Sequence, residues 1–447
     1  MSRLLIRTRA VVTMDPGLGD VEHGEILVED DVIAAVGTGL PAEGAEILDA
    51  GELIALPGFV DGHRHTWQTA VRHCAVGWDL AAYQANVQGV VGEHMTPEDA
   101  YAGNLLGALS ALDAGITTLR DESHVQNSPA HTDALIAALR DAGIRACFAY
   151  GWPSTDAMSW LWESDRALPE DIRRVRYEVL PRDDGLVTLQ ALLRGPELSG
   201  LEVTRADVAR ARELGLRMSM HMGTGEYGTL HHGIRALHGA GLLGDDMIFV
   251  HCCTSDDDEL AMAAAAGASA CVTPAVEASM PGLGAPATGR LLAHGLRPAL
   301  GVDVEVGTPG DMFNLMRAAL AAERLRETLL GVEPGEAAPL SARDLLAFAT
   351  IDGAVAAGLG DRVGSLTAGK QADVILVGTN ALNLVPGDDW AASLVAAGHA
   401  GNVDTVLVAG RVVKQDGRLT HVDVREAVDR ARRSAGRLLG LIPVGSA

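Results

Sequence analysis

One arrangement recurs through the middle of the chain: a helical stretch, a glycine, a short apolar run and a polar residue. Gly115 precedes ITTLRDES, Gly143 precedes IRACFAYG, and Gly215 precedes LRMSMH. Gly241 precedes a run ending MIFVHC, Gly267 precedes ASACVTP, and Gly295 precedes LRPALGVD. The last four glycines are spaced 26, 26 and 28 residues apart. Each fits the residue after a helix C-terminus, where the chain needs a positive φ before the next strand begins. LIALPGFVDGHRH ahead of this series and GLVTLQALLRG within it bring the strands to eight. Helical segments are expected between them, at 97–113, 131–142, 205–214 and 255–266 among others. Near-continuous apolar strands alternating with helices imply a parallel sheet. Eight such units over about 300 residues imply an α/β fold, a (β/α)₈ TIM barrel.

The ends are built differently. Residues 3–56 contain EILVEDDVIAAVG, whose central acids suit a hairpin turn, and residues 370–420 contain ADVILVG and VDTVLVAGRVVKQDGRL with AG and DG turns. Both read as short antiparallel strands. A chain of 447 residues has room for a barrel and one smaller module. The expected division is therefore a barrel over 58–359 and a small β-sandwich assembled from 1–57 and 360–447. That second part includes an amphipathic C-terminal helix at 422–439.

Charge and composition narrow the function. The chain has 35 basic and 59 acidic residues, a net charge of −24, which excludes a general nucleic-acid binder because phosphates demand surplus Lys and Arg. The N-terminal MSRLLIRTRAVVTMD interrupts its apolar residues with Arg, and the longest weakly apolar run, 260–272, is short of the ~18 residues of a membrane span. A soluble, cytoplasmic protein with no membrane partner is expected. The cysteines, Cys74, Cys147, Cys252, Cys253 and Cys271, form no CxxC pair and read as reduced thiols. Only two lysines occur, Lys370 and Lys414, so a P-loop or a mid-chain Schiff base is excluded. There is no G-x-S-x-G elbow, and the glycine-rich 282–290 lacks nucleotide-binding spacing.

Functional groups of such a barrel sit at the C-terminal ends of its strands. Strand 1 ends in His63-Arg64-His65, strand 5 in His221, strand 6 in His251 and strand 8 in Asp303, while Glu277 follows strand 7. Residues i and i+2 of a strand face the same side, so two imidazoles from strand 1 can close on one ion, and a third imidazole and a carboxylate can complete the set. Each residue alone is an ordinary core or capping residue; together they converge on one rim. Imidazoles with one carboxylate suit Zn²⁺ or Fe²⁺ and match Mg²⁺ or Ca²⁺ poorly. A divalent ion there would lower the pKa of its water toward ~7, giving a hydroxide near neutral pH. Trp67 and Gln68 follow the His pair and are candidates to line the pocket by stacking and hydrogen bonding. His124, just past strand 2, is a further substrate-contact candidate, and Cys253 reads as a buried small hydrophobe.

LPGFVDGHRHTWQ, with HM at 221, VHC at 251 and GVD at 303, resembles the amidohydrolase superfamily. The closer similarity is to the branch of cytosine, guanine and S-adenosylhomocysteine deaminases and triazine hydrolases, and the tail GSLTAGKQAD with VDTVLVAGRVV resembles that branch too. The resemblance implies a distorted barrel beside a small β-sandwich, often in a dimer or larger homo-oligomer. It implies that His63, His65, His221 and Asp303 bind one divalent metal, zinc first and iron second. It also implies that His251 contacts the substrate or polarises its leaving group, and that Asp303 doubles as proton acceptor. With no lysine before position 370, the binuclear relatives bridged by a carbamylated lysine are excluded.

One position departs from that pattern. The branch carries H-x-x-E on strand 5, where the Glu shuttles a proton to the leaving nitrogen; here the position is Thr224. Glu226 lies nearby, and Glu277 falls where relatives carry Asn, so Glu277 is expected to reach across the mouth as the replacement acid. The expected function is a mononuclear metal-dependent hydrolase whose metal-bound hydroxide attacks a carbon–nitrogen centre of an amino-heterocycle, cyclic amidine or imine. The substrate is a small nitrogen-containing molecule. The alternatives are an amidase or dechlorinase of the same superfamily, and a metal-free ligand-binding paralogue. Specificity is expected from residues 72–93, 151–166 and 224–232.

Overall fold

The computed structural model describes residues 2–332 and 340–443. Eight parallel strands form one sheet in chain order. They are β1 (Phe59–Arg64), β2 (Ile116–Ser123), β3 (Arg145–Tyr150), β4 (Val187–Leu192), β5 (Met218–Met222), β6 (Met247–His251), β7 (Ser269–Val272) and β8 (Ala299–Leu300). All six glycines of the recurring pattern have φ between 67° and 86°, so the turn chemistry is as the sequence demands. Helices join successive strands. Pro97–Asp113 opens with a Thr96–Asp99 capping box and a proline in its first turn.

The sheet closes at its mouth. β8 is only two residues long, and the chain beyond it completes the seam. Asp303 N–H donates to the His63 carbonyl at 2.8 Å, and His65 N–H donates to the Asp303 carbonyl at 2.8 Å. The strands pass so closely that a Cβ on Gly62 would lie 2.7 Å from the Ala299 Cβ, and one on Gly301 would lie 2.8 Å from the His63 Cβ. Glycine at these positions lets the first and last strands touch.

LIALPGFVDGHRH is not one strand, as the sequence reading had it. Leu53–Pro57 pairs antiparallel with Val374–Gly378 in a terminal sheet, and only Phe59–Arg64 enters the barrel. Gly58 makes the change of sheet, packed so tightly that a Cβ there would fall 2.1 Å from Thr117 Oγ1. The helix expected at 205–214 starts earlier, at Leu201. The helix expected at 255–266 is Asp257–Ala265, capped by Asp256.

Both termini build the remaining two sheets. Arg3–Arg7, Glu25–Glu29, Val32–Gly37 and Glu46–Asp49 form a four-stranded sheet, and EILVEDDVIAAVG is its hairpin. A seven-stranded sheet joins Ala10–Val11, Val21–Glu22 and Leu53–Pro57 to four strands between Val374 and Leu419. Its Ala409-Gly410 and Asp416-Gly417 turns have positive φ at both residues, the geometry that hairpins prefer. Ile6, Ile26, Ile33, Val374, Leu376 and Leu407 form a core of this part. Arg145 of β3 ties it to the barrel through Asp373, donating to both carboxylate oxygens at 2.9 and 2.8 Å, with both side chains buried. The C-terminal helix Val424–Leu439 packs on Pro97–Asp113, burying Leu438.

Candidate metal centre and cavity

The donor atoms of His63, His65 and Asp303 lie within 4.8 Å of one another, and so do those of His63, His221 and His251. The strand pleat turns His63 and His65 inward from β1, with ring centroids 4.7 Å apart. His221, from β5, lies 5.0 and 5.4 Å from those two rings, and His251, from β6, lies 5.5 Å from His221. Asp303 Oδ1 is 3.3 Å from His63 Nε2 and 3.6 Å from His65 Nε2, while Oδ2 is 3.9 Å from His251 Nε2. His251 and Asp303 have φ of 76° and 61°, strained for residues with a Cβ. Strain of this kind persists where surrounding structure fixes it and clusters at functional sites.

The far nitrogens are held from behind. His65 Nδ1 lies 2.7 Å from the Glu122 carbonyl, which can only accept, so Nδ1 carries the proton and Nε2 presents a lone pair to the centre. His63 Nδ1 is 3.1 Å from the Glu122 carboxylate, and His251 Nδ1 is 3.2 Å from Glu277 Oε1. This is how metal-binding histidines are oriented. Burial and the neighbouring His63 pull His65 down to about 4. The same causes hold His221 well below its ordinary value, leaving neutral rings with free lone pairs. Burial opposes a charge on His63, but the Glu122 and Asp303 carboxylates outweigh it and push its pKa up to about 10. A cation is thus wanted between these acids. Burial raises the Asp303 carboxyl, yet the His63 hydrogen bond and charge overcome it and keep Asp303 ionised. Two neutral imidazoles, a third whose proton sits between Glu122 and Asp303 where a metal cation would replace it, and one carboxylate fit a divalent transition ion.

A narrow cavity opens beside this cluster. His65, His221, His251 and Asp303 form its floor, and Tyr83, Gln84, Gln88, Trp152, Glu197 and Thr224 stand in its walls. Leu80, Leu161, Leu198, Met280 and Leu283 give it apolar surface. Residues 84–91 wind as a π-helix, a form often found at functional sites. His124 also lines the cavity, stacked on Trp152 at 5.6 Å and packed against His65 at 4.4 Å. An outer vestibule continues from Leu80, Gln84 and Tyr227 to the exposed Trp162, with the acids Asp79 and Glu226 on its rim. Residues from all three stretches expected to set specificity face one or other space.

Three expected contacts fall elsewhere. Trp67 and Gln68 are fully buried and do not line the cavity. The turn Thr66–Val71 folds away from the mouth onto Pro97–Asp113; there Trp67 meets the edge of the His124 ring and Gln68 donates to the Tyr83 hydroxyl at 2.7 Å. Glu277 does not reach across the mouth. It is buried behind His251, where its Oε1 also accepts from Thr273 N–H at 2.8 Å. Cys253 is buried, as its small apolar character suggested.

Sequence reasoning passed over Glu122, although RDES at the end of β2 placed an acid on the correct rim. It also passed over Arg64, the middle residue of the His pair. Arg64 points to the opposite side and is buried between Asp61 at 3.3 Å and Glu305 at 2.5 Å, bracing the mouth. Another acidic group, His232 with Asp256 and Glu259, is explained by the cap of Asp257–Ala265 and by the Arg235–Asp256 ion pair.

Residues 54–413 match the Amidohydrolase family. The chain is 32% identical to a 5-methylthioadenosine/S-adenosylhomocysteine deaminase of Symbiobacterium thermophilum, over 98% of this chain and 100% of the relative. It is 25% identical to a 5'-deoxyadenosine deaminase of Methanosarcina mazei, over 99% of this chain and 100% of the relative. Its fold is that of an adenosine deaminase from Xanthomonas campestris determined with bound zinc, with a TM-score of 0.81, 24% identity, and 98% and 99% of the two chains covered. By its sequence over most of its length, the chain belongs to the amidohydrolase family, whose members include hydrolases of carbon–nitrogen bonds.

Proposed function

We propose that the protein is a mononuclear metal-dependent aminohydrolase that releases ammonia from an amino-heterocycle of the neutral purine-nucleoside type. Two overlapping donor groups, His63 with His65 and Asp303 and His63 with His221 and His251, meet at the cavity floor, and this supports the reading. His63, His65, His221 and Asp303 would hold one divalent ion, zinc by their chemistry. When bound, the ion supplies a Lewis acid that acidifies a water molecule.

The chain's own groups do the rest. Asp303 Oδ1 faces the His63 and His65 nitrogens, which leaves Oδ2 to take a proton from the attacking water. His251 faces Oδ2 with Nε2 and is held by Glu277, so it can polarise the group under attack. Trp152 and His124, stacked on one another, give the cavity aromatic surface, and the Gln88 Oε1 acceptor has no partner of its own. Leu161, Met280 and Leu283 exclude water from the wall.

Charge narrows the substrate. Neither cavity nor vestibule is lined by Lys or Arg among the described residues, and Asp79 and Glu226 stand on the rim. A phosphate or lone carboxylate has no partner here, whereas a neutral nucleoside does. The relatives named for 5-methylthioadenosine and 5'-deoxyadenosine support the same class. The test is metal analysis of the purified protein together with ammonia release from adenosine, 5'-deoxyadenosine, 5-methylthioadenosine, cytosine and guanine. Turnover of the adenine nucleosides with about one equivalent of zinc is expected. A metal-loaded protein releasing no ammonia from any of them would remove this reading.

A further inference from the structure

We infer that Glu197 is the acid that carries a proton to the substrate, taking the part left open at Thr224. This rests on the aminohydrolase reading above. An amine cannot leave a ring carbon as its anion, so the reaction needs one group to take a proton from water and another to supply one. The carboxyl groups lining the cavity, among the described residues, are Asp303 and Glu197. Asp303, set against His63 and His65, takes the proton of the attacking water, so the proton that the ring nitrogen needs at that same step must come from Glu197.

Glu197 lies on the loop after β4, 3% exposed. Its Oε1 accepts from Gly223 N–H at 2.7 Å and its Oε2 from Thr224 N–H at 3.2 Å, so the carboxyl is fixed on the loop that follows His221. Gly233 leaves room for it, since a Cβ there would come within 2.9 Å of Oε1. Glu197, reaching in from the loop after the neighbouring strand, and Thr224 therefore stand side by side on the cavity wall. Thr224 Oγ1, beside it on the cavity wall, is buried without a partner and free to bond a substrate nitrogen. Burial pushes the Glu197 carboxyl up to about 7, opposed by the two N–H donors. Glu259 adds to the rise and His251 counters it; Cys252 is the other titratable neighbour.

The proton balance closes. As water adds, the new C–O bond forms, the water proton passes to Asp303, and the C=N electron pair takes the Glu197 proton at the ring nitrogen. Asp303 then gives its proton to the exocyclic amine. The C–N bond breaks with release of ammonia, and the hydroxyl proton returns to Glu197 as the carbonyl forms.

The test uses the metal-loaded full chain and the adenine nucleoside giving the highest rate. In Glu197→Gln, kcat should fall at least a hundredfold with KM within threefold, and zinc content should stay at the wild-type level. The wild-type kcat/KM should decline as pH rises through the Glu197 titration, and that alkaline limb should vanish in the variant. A kcat within threefold of wild type with the limb intact overturns the inference while leaving the aminohydrolase reading in place. A wild type that releases no ammonia removes that reading and this inference with it. Gln sets an N–H₂ against one of the two N–H donors and could unfold the loop. Glu197→Gln/Thr224→Glu, which offers the acid from the other strand, should then recover at least tenfold of the lost rate with a restored alkaline limb. Failure to recover in a folded, zinc-loaded double variant counts against the inference.

Discussion

The Glu122 carboxylate lies 3.1 Å from His63 Nδ1, with both side chains fully buried. The acid near the end of β2 thereby leaves Nε2 of the β1 histidine facing Asp303, 3.3 Å away. Its carbonyl does the same for His65. One residue outside the ligand set orients two of its four members.

Glu122→Gln keeps the shape of this support and removes its charge. Loss of a partner behind a metal-bound histidine typically costs 10- to 100-fold in metal affinity. Competition with a chromophoric chelator should show a zinc affinity lowered by about that factor in the folded variant. An unchanged affinity would reduce Glu122 to a packing role.

Removing the metal should act on stability as well as turnover. A ligand at about a thousand times its dissociation constant stabilises the folded state by about 4 kcal/mol. Chelator-treated protein should lose ammonia release and melt several degrees lower, and zinc should restore both. His63→Ala and Asp303→Asn should abolish turnover, and zinc should no longer raise their melting temperatures. Full activity in either variant would refute the ligand assignment.

Glu277 stands behind His251 and not in the cavity. Glu277→Gln should leave zinc content unchanged and lower kcat by about ten- to hundredfold, by loosening the imidazole that faces Asp303. Equal loss of zinc would mean that His251 and Glu277 support the metal as well.

The barrel and its rim were legible because their determinants are local. A glycine after each helix, an apolar strand and a polar strand end occur within ten residues of one another, and all six glycines have the positive φ they imply. The rim histidines follow from the strand ends alone. What lies behind them does not. Glu122 reaches His63 from a different strand, and Glu277 turns back because its own carboxyl caps the first turn at Thr273. Trp67 and Gln68 were misplaced because strand alternation stops at His65, where the chain winds into a 3₁₀ turn. Glu197 lacked any motif, since its partners are backbone N–H groups on the next strand's loop.

Substrate charge is testable in one pair. Adenosine and adenosine 5'-phosphate share a reacting ring, and no Lys or Arg lines the cavity or vestibule among the described residues to receive the phosphate. The acids Asp79 and Glu226 would oppose it. The nucleotide should be turned over at least a hundredfold less efficiently by kcat/KM, with the difference narrowing as added salt screens the rim. Comparable efficiencies would mean that a cation reaches the site from elsewhere.

The joint between barrel and terminal sheets rests on Arg145 and Asp373. Their bidentate contact is buried, and Asp373 Oδ1 also accepts from Ala409 N–H at 2.8 Å, so one carboxylate serves a barrel strand and a terminal hairpin. Breaking a buried pair by removing one partner costs about 3–5 kcal/mol, because the other charge stays buried and unmatched. Arg145→Met should therefore lower stability by about that amount in urea unfolding. Residual kcat per folded molecule should stay near wild type, since neither residue lines the cavity. Arg145→Met/Asp373→Leu removes both charges and should regain part of the loss, short of wild type because Ala409 N–H then lacks its acceptor. If the double variant is as unstable as the sum of the two single ones, the pair contributes no coupling and the joint must be held by packing.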